Sequence, residues 1–200
     1  MGITPATPQE RLVELFAKVE AFFDQAKARH GDALTCHAGC DDCCQKRFSV
    51  TSLEAAIVQE ALDAMPDSKR RILRERSLRQ GPTEPCPALG ESGLCEIYDA
   101  RPLICRTHGL PIRFVEENEN EGKRSLPVVA SFVDACPKNF KGQDLGALNP
   151  RDVLDQKTLS TVLGGLDAAF ADSVGLRRGG RFEMVELCRI DSEEEEESAS

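Results

Sequence analysis

Cysteine is the residue type with the clearest chemical signature in this sequence. Nine cysteines occur in 200 residues, and eight of them form a pattern. Thiolates are soft ligands that suit zinc, cuprous copper and iron–sulfur clusters. Four of the eight lie within nine residues, so their sulfurs can meet at little cost in chain entropy. We predict that the patterned set binds metal: Cys36, Cys40, Cys43, Cys44, Cys86, Cys95, Cys105 and Cys136.

The spacing of the later cysteines favours an iron–sulfur cluster as the cofactor. Zinc sites typically take two close donors from each of two knuckles, whereas the downstream cysteines here come singly. Cys86-Pro87 and Cys136-Pro137 are similar to the Cys-Pro ending of ferredoxin-type ligand runs. We therefore expect an iron–sulfur cluster, with zinc as the alternative.

The first four cysteines follow the spacing Cys36-x3-Cys40-x2-Cys43-Cys44. A helix would put all four sulfurs on one face, but Gly39 and the polar neighbours make a loop equally compatible. Adjacent side chains diverge on a helix and on a strand, so one of the vicinal pair is expected to serve another centre, or none. Cys188 stands apart among apolar residues and is expected in the core.

The whole constellation resembles the YkgJ-type cysteine-cluster proteins, also called the CxxCxxCC or zinc- or iron-chelating domain. The resemblance covers about residues 30–140 and rests on blocks that occur in the right order, namely the first quartet, Cys86-Pro87-Ala88-Leu89, Gly93-Leu94-Cys95-Glu96-Ile97-Tyr98 and Arg101-Pro102-Leu103-Ile104-Cys105-Arg106. It implies that the eight patterned cysteines bind metal, and it implies no agreed reaction.

A second, weaker resemblance concerns only Cys36-x3-Cys40-x2-Cys43. The spacing is similar to the radical S-adenosylmethionine signature, in which three thiolates leave one iron open for the cofactor. Asp42 stands where that family usually has an aromatic residue, and the chain lacks the repeating strand–helix units of its barrel. We therefore prefer the first resemblance.

Charged and aromatic residues near the later cysteines are candidates for cofactor binding. Arg101 and Arg106 flank Cys105, where guanidinium groups could offset the charge of a tetrathiolate site, and Tyr98 precedes them. Pairing with a nearby carboxylate or simple packing is the alternative. His37 and His108 could replace a cysteine as ligand, but hydrogen bonding to neighbours is the expected role. Catalytic residues are not identifiable.

Helices are predicted on both sides of the first quartet. Thr7-Pro8-Gln9-Glu10 is a capping box that predicts a helix over about 8–30. Thr51-Ser52-Leu53-Glu54 repeats the signal and predicts a helix over about 52–65. Asp67 can cap a third helix that runs to Gln80.

The second half of the chain predicts a β-hairpin and one more helix. Apolar residues 112–115 and 128–133 flank a polar stretch, which favours two strands. Asn149-Pro150 indicates the start of a helix that ends at Gly175. A short strand is expected within 181–190, and the acidic tail 191–200 is expected to be disordered.

Composition limits the partners and the cellular location that we expect for this chain. The formal charge is −9, of which Asp191 and the run Glu193–Glu197 supply six, so the rest of the chain is only mildly acidic. That balance argues against nucleic acid as a partner. The sequence has neither a signal-peptide pattern nor a long apolar run, so we expect a soluble, cytoplasmic protein without a membrane anchor. In a reducing compartment, metal binding explains the cysteines better than disulfides do.

Together these observations predict an α+β, mainly α fold whose helices surround a cysteine-rich loop region with a small β-hairpin. Residues 1–190 are expected to form one metal-binding domain. The leading function is a redox, electron-transfer or sensing role on an iron–sulfur cluster, which implies a protein or redox partner. The alternatives are a zinc-stabilised interaction module and a metal-dependent modifying enzyme.

Overall fold

The longest helix, α1, begins where the first capping box predicts. In the computed structural model, which describes residues 6–79, 81, 84–118 and 128–189, the Thr7 hydroxyl accepts the Glu10 N–H at 3.2 Å. The Glu10 carboxylate accepts the Thr7 N–H in return at 2.8 Å. These two bonds satisfy amides that a helix leaves open at its start. The helix spans Pro8–His30 and ends at Gly31.

The other helices confirm a mainly helical α+β fold with a few short strands. They are α2 (Ser52–Asp63), α3 (Asp67–Leu78), α4 (Leu103–Thr107), α5 (Gln156–Val174) and α6 (Met184–Leu187). Thr51 and Glu54 form the predicted capping box of α2. Asp67 is the first residue of α3 and Pro66 precedes it as cap, so the prediction that Asp67 caps this helix is wrong. The acidic tail predicted to be disordered lies outside the described residues.

The start of α5 differs from the sequence-based prediction. Asn149 caps only a short 3-10 turn, Pro150–Asp152, because the chain then extends to form strand β4 (Leu154–Asp155). The Leu154 N–H donates to the Pro111 carbonyl at 2.9 Å, which joins β4 to the sheet. The helix begins afterwards, where the Asp155 carboxylate accepts the Thr158 N–H at 2.7 Å. Its predicted end at Gly175 is confirmed.

Five short strands form two small sheets in the part of the chain that the structure describes. The predicted hairpin is confirmed as β2 (Ile112–Asn118) antiparallel to β3 (Val128–Asp134), with Phe114 opposite Phe132. Strand β4 adds to β2 in parallel. In the second sheet, β1 (Ser49–Thr51) pairs with β5 (Arg181–Glu183) in antiparallel register. Strand β5 passes directly into α6, so the predicted strand within 181–190 is confirmed over its first three residues.

An apolar cluster supports the cysteine-rich loops from behind. It joins α2, α3 and α6 through buried residues such as Val58, Leu73 and Leu187, and Cys86 and Cys95 pack against it. Cys188 is 5 % exposed within this cluster, which confirms its predicted place in the core. One further cluster joins α1 to α5, and another packs Ala26 near the end of α1 against Leu34, Leu110 and Phe140. None of the described helices has the length and apolar character needed to cross a bilayer.

Candidate metal centre

A tight loop carries the first four cysteines. The Cys40 N–H donates to the His37 carbonyl at 3.0 Å, and Gly39 takes a left-handed φ of 88°. A four-residue 3-10 turn, Asp42–Gln45, follows and contains the vicinal pair. Of the two geometries that the sequence allowed for this segment, the structure therefore has the loop. All four thiols are partly exposed.

The vicinal thiols contact each other. The Cys44 thiol donates a hydrogen bond to the Cys43 sulfur, which lowers the pKa of Cys43 to about 6 although burial opposes the shift. The same bond, together with burial and repulsion from Cys86 and Cys95, raises the pKa of Cys44 far above its ordinary value. The prediction that the two side chains diverge is wrong here, because it assumed a regular helix or strand and a single 3-10 turn between loops is neither.

A small backbone knuckle holds Cys86 and Cys95. The Cys86 N–H donates to the Cys44 carbonyl at 2.7 Å, which fixes this loop against the first one. Leu89 and Cys95 form an isolated antiparallel bridge. Burial raises the pKa of Cys86 to about 11, while the backbone N–H groups of Ala88 and Leu89 oppose that rise. The Leu89 N–H also donates to the Cys86 carbonyl at 2.9 Å. Burial also raises the pKa of Cys95, and the Ile97 N–H opposes that rise.

The short helix α4 presents Cys105 to the same region. Burial, followed by repulsion from Cys86, Cys43 and Cys95, raises the pKa of Cys105 to about 12. The start of α4 is fixed by Glu54, which is 3 % exposed and whose Oε1 accepts the Leu103 N–H at 2.9 Å. The sequence indicated Glu54 only as the capping residue of α2, so its bond to the cysteine-bearing helix is an additional role.

Asn139 connects the first and last patterned cysteines. Its side-chain amide donates to Cys36 Sγ at 3.3 Å, while its backbone N–H binds the Cys136 carbonyl at 2.8 Å. Burial raises the pKa of Cys36, and the Asn139 bond opposes that rise. Gly109 packs on the other side, where a β-carbon would lie 2.5 Å from Cys36 Sγ. A side chain at Gly109 would therefore displace this sulfur.

The two predicted cofactor-binding arginines occupy different surroundings. Burial raises the pKa of Cys95 and Cys105, and the Arg101 charge opposes both rises. At Cys43, whose pKa the Cys44 hydrogen bond lowers most, the Arg101 charge acts in the same direction. The Arg101 guanidinium lies 3.5 Å from the ring centroid of the exposed Tyr98, so the Tyr98 ring packs against Arg101.

The guanidinium of Arg106 belongs to the packing between helices. It lies 4.2 Å from the Phe16 ring centroid, donates to the Arg101 carbonyl at 2.7 Å and forms an ion pair with Glu20. These contacts connect α4 to α1. Arg106, which the sequence suggested as a cofactor-binding residue, therefore has a structural role.

The two histidines considered as substitute ligands also differ. His37 is exposed and its Nδ1 lies 2.7 Å from the Ala38 carbonyl oxygen, in agreement with the expected bond to a neighbour. Burial and repulsion from Lys46 lower the pKa of His108, which favours its neutral ring. A neutral imidazole can bind metal.

An open groove of about 350 Å³ borders Cys86. Arg76, Arg79 and Glu84 contribute to its lining. An enzyme of the kind considered above would be expected to have a pocket lined by Arg101, Arg106 or Tyr98, and this groove has other residues. Arg76 is also engaged, since it donates to Glu96 at 3.1 Å.

The donor set fits a soft metal, although the thiols are not drawn together around one point. Among the residues that the structure describes, no three cysteine, histidine or carboxylate side chains are grouped tightly enough to hold a single ion. Thiolates repel one another, so their closest approach requires the charge of a bound cation. The Asn139 side-chain N–H already binds the Cys36 sulfur at 3.3 Å, as outer partners of metal-bound thiolates do.

Comparison with known proteins confirms the resemblance seen in the sequence. Residues 35–124 match the CxxCxxCC family, which is described as "Putative zinc- or iron-chelating domain". The match includes seven of the eight patterned cysteines, and Cys136 lies beyond its end. No curated protein and no solved structure matches the chain.

Proposed function

We propose that this protein holds an iron–sulfur centre and acts in electron transfer or redox sensing. The match of residues 35–124 to the CxxCxxCC family supports metal binding by this segment. The metal ligands in this proposal are the eight patterned thiolates, of which Cys136 comes from outside the matched segment. Arg101 contributes a positive charge beside Cys43, Cys95 and Cys105.

The observation that carries the proposal is that N–H groups act on the thiols, as the Asn139 amide does at 3.3 Å from Cys36 Sγ. The backbone N–H groups of Ala88 and Leu89 oppose the rise that burial causes in the pKa of Cys86, and the Ile97 N–H does so for Cys95. Such bonds stabilise a thiolate over a thiol. A bound cluster supplies one-electron redox chemistry at a potential set by cluster type, burial and hydrogen bonds to sulfur. The chain contributes these hydrogen bonds, the apolar backing of Cys86 and Cys95, and the nearby guanidinium.

Partial exposure of the thiols supports a role in electron exchange. All eight patterned cysteines are partly exposed, in contrast to the buried Cys188. A partner protein can therefore approach the centre closely. The cytoplasm is the location that we propose, because thiolate ligands persist in a reducing compartment.

A zinc-stabilised interaction module is the second candidate. The knuckle at Cys86 favours it, because N–H groups two and three residues beyond a cysteine suit a zinc-bound sulfur equally well. In that case the metal would contribute folding free energy and no redox chemistry. The separation of the later cysteines along the chain is our reason for preferring the iron–sulfur centre.

Metal and sulfide analysis after anaerobic purification tests the proposal. We expect a coloured protein that contains iron and acid-labile sulfide in comparable amounts and that loses its visible absorption when dithionite is added. A colourless protein with stoichiometric zinc and no sulfide would establish the zinc module instead. A protein that takes up neither metal would contradict both candidates.

A pair of cysteine variants provides the matched control. Cys95→Ser removes a partly exposed, patterned thiol and should lower the iron and sulfide content. Cys188→Ala removes the buried thiol of the apolar cluster and should leave both unchanged. Equal losses in the two variants would show that the metal content reports only the stability of the fold.

A further inference from the structure

Helix α3 carries a concentrated positive charge in an acidic chain. Residues 67–79, which are α3 and its C-terminal cap, contain six basic and two acidic side chains and so have a net charge of +4, whereas the whole chain has a net charge of −9. The basic side chains are Lys69, Arg70, Arg71, Arg74, Arg76 and Arg79. A local excess of this kind attracts segments of opposite charge.

Two of the arginines share one face of α3 with Ser77. Arg70, Arg74 and Ser77 follow the spacing i, i+4, i+7, which places them in one row along the helix, and we call this row the arginine face. Arg70 and Arg74 are partly buried and Ser77 is buried, whereas Arg79 on the opposite side is exposed. Charges that are partly buried are screened less by salt and water than exposed ones.

The arginine face has binding capacity for carboxylates. Arg70 already donates to Asp67 at 3.1 Å, but a guanidinium has five N–H donors in a planar fork and can bind a second carboxylate. An acidic segment that follows the row would therefore meet two guanidinium groups in succession.

The C-terminal part of the chain is attached to α3 at one end of this face. The Arg189 guanidinium donates two hydrogen bonds to the Ser77 carbonyl, from Nε at 3.2 Å and from Nη2 at 2.9 Å. The acidic tail, residues 191–200, begins two residues later and contains six acidic and no basic side chains. The chain thus brings its most acidic segment to the end of its most basic helix.

The tail is long enough to cover the arginine face. Arg74 and Arg70 lie about 5 and 10 Å from Ser77 along the helix axis. Glu193–Glu197 lie four to eight residues beyond Arg189, which gives them a reach of about 13–29 Å in an extended chain. A short tether of this kind produces an effective concentration on the order of millimolar, so weak ion pairs are sufficient for binding.

We propose that the acidic tail docks on the arginine face of α3 in the same chain, with Glu193–Glu197 beside Arg74 and Arg70, and that it closes this face to other acidic partners. The proposal rests on the attachment of Arg189 to Ser77 and on the opposite charges of the two segments. It does not depend on the identity of the metal.

Zero-length cross-linking of the full chain tests where the tail lies. Arg74→Lys keeps the charge and places an amine on the arginine face, and a carbodiimide then joins that amine to a carboxylate in contact with it. Arg79→Lys is the matched control, because it places an amine on the opposite, exposed side of α3. At low salt we expect peptide mapping of the monomer to find links from Glu193–Glu197 to position 74 and not to position 79.

Salt and a second position sharpen the result. The links at position 74 should disappear in 1 M NaCl, where the screening length is about 3 Å. Arg70→Lys should give the same links and covers the case in which Arg74→Lys does not fold. Absence of tail links in both variants, or equal linking in Arg79→Lys, would overturn the proposal. Links found only in covalent dimers would show that a second copy occupies the face and would also overturn it.

Competition with a free peptide tests whether the tail closes the face. The probe is a fluorescent peptide with the sequence of residues 191–200. A full chain in which Glu193–Glu197 are all changed to glutamine should bind this peptide several-fold more tightly than the unmodified chain, because its own tail no longer competes. Adding Arg74→Gln should abolish this binding, and adding Arg79→Gln should not. Equal binding by the unmodified chain and the glutamine variant would overturn the proposal.

Discussion

Asn139 donates a side-chain N–H to Cys36 Sγ at 3.3 Å, although 103 residues separate the two. The same amide group donates to the Gly109 carbonyl at 2.7 Å and accepts the Thr35 N–H at 2.9 Å. Because Asn139 is only 5 % exposed, water cannot readily replace these partners. One side chain therefore fixes the position of the first thiol relative to two other loops.

Replacing Asn139 should weaken metal binding as well as folding. We expect Asn139→Ala to lower metal affinity by about 10- to 100-fold, since outer partners orient the ligands. It should also lower the free energy of unfolding by about 1–3 kcal/mol, because buried groups lose their partners. Competition with a zinc chelator and urea unfolding would measure the two effects. Asn149→Ala, which removes only the cap of a 3-10 turn, should leave metal affinity unchanged.

Cys43 should be the most reactive thiol of the metal-free protein at pH 7. Its pKa of about 6 makes it a thiolate there, while the pKa values of Cys86 and Cys105 are about 11 and 12. The thiolate is the nucleophile in alkylation. Limited iodoacetamide treatment with peptide mapping would identify the modified residue, and Cys44→Ala should slow the reaction of Cys43. First labelling at Cys86 or Cys105 would contradict this prediction.

The same pKa shifts determine how the stability of the metal-free protein depends on pH. The lowered pKa of Cys43 gives a contribution that is complete above about pH 9 and is lost as the pH falls through about 6. The raised pKa values of Cys86 and Cys105 give contributions that are present below pH 9 and are lost as the pH rises through 11 to 12. In urea unfolding, the contribution of these thiols to the free energy of unfolding should therefore rise from pH 6 to 9 and fall above pH 9. A Cys43→Ala variant should lack the rise.

Glu54 should couple the stability of α2 to the position of Cys105. Its Oε1 accepts the Leu103 N–H and its Oε2 accepts the Thr51 N–H, both at 2.9 Å. A glutamine has only one acceptor oxygen, so Glu54→Gln leaves one buried N–H facing another donor. We expect a loss of about 1–3 kcal/mol in the free energy of unfolding, together with weaker zinc binding. Glu60→Gln, an exposed position on the same helix, should change neither.

Arg101→Gln should change the reduction potential, whereas Arg106→Gln should change mainly the free energy of unfolding. Arg101→Gln removes a positive charge beside three thiols and should make the reduction potential more negative, since reduction adds an electron. Arg106→Gln removes the ion pair with Glu20 and should lower stability by about 1–3 kcal/mol with little change in potential. A dye-coupled redox titration and urea unfolding would separate the two effects. A larger shift in potential for Arg106→Gln would contradict the assignment.

Local signals in the sequence predicted most of the helices and the hairpin. The capping boxes at Thr7 and Thr51 are confirmed because they act over three residues and need no tertiary partner. The start of α5 was predicted too early. Asn149-Pro150 is a true capping signal, but it begins only the 3-10 turn Pro150–Asp152. The competing signal, the bond between Leu154 and Pro111, joins residues that are distant in sequence.

The partners of the thiols were less accessible from the sequence. Asn139 follows Cys136 by three residues. A polar side chain so close to an expected ligand was the one sequence signal that could have indicated Asn139 as a partner of the thiols. Its bond to Cys36 and the bond from Glu54 to α4 cross 103 and 49 residues, so no local pattern predicts them. The contact between Cys43 and Cys44 depends on a turn whose geometry the neighbouring residues did not specify.

The antiparallel pair of β1 and β5 has a consequence for biosynthesis. Arg181 binds Ser49 across 132 residues, and α6, which follows β5, completes the apolar cluster behind Cys86 and Cys95. A ribosome adds about 5–20 residues per second, so these thiols leave it on the order of ten seconds before α6 does. Metal delivered to the nascent chain meets Cys86 and Cys95 before α6 packs behind them, whereas metal offered to the finished protein meets them with α6 in place.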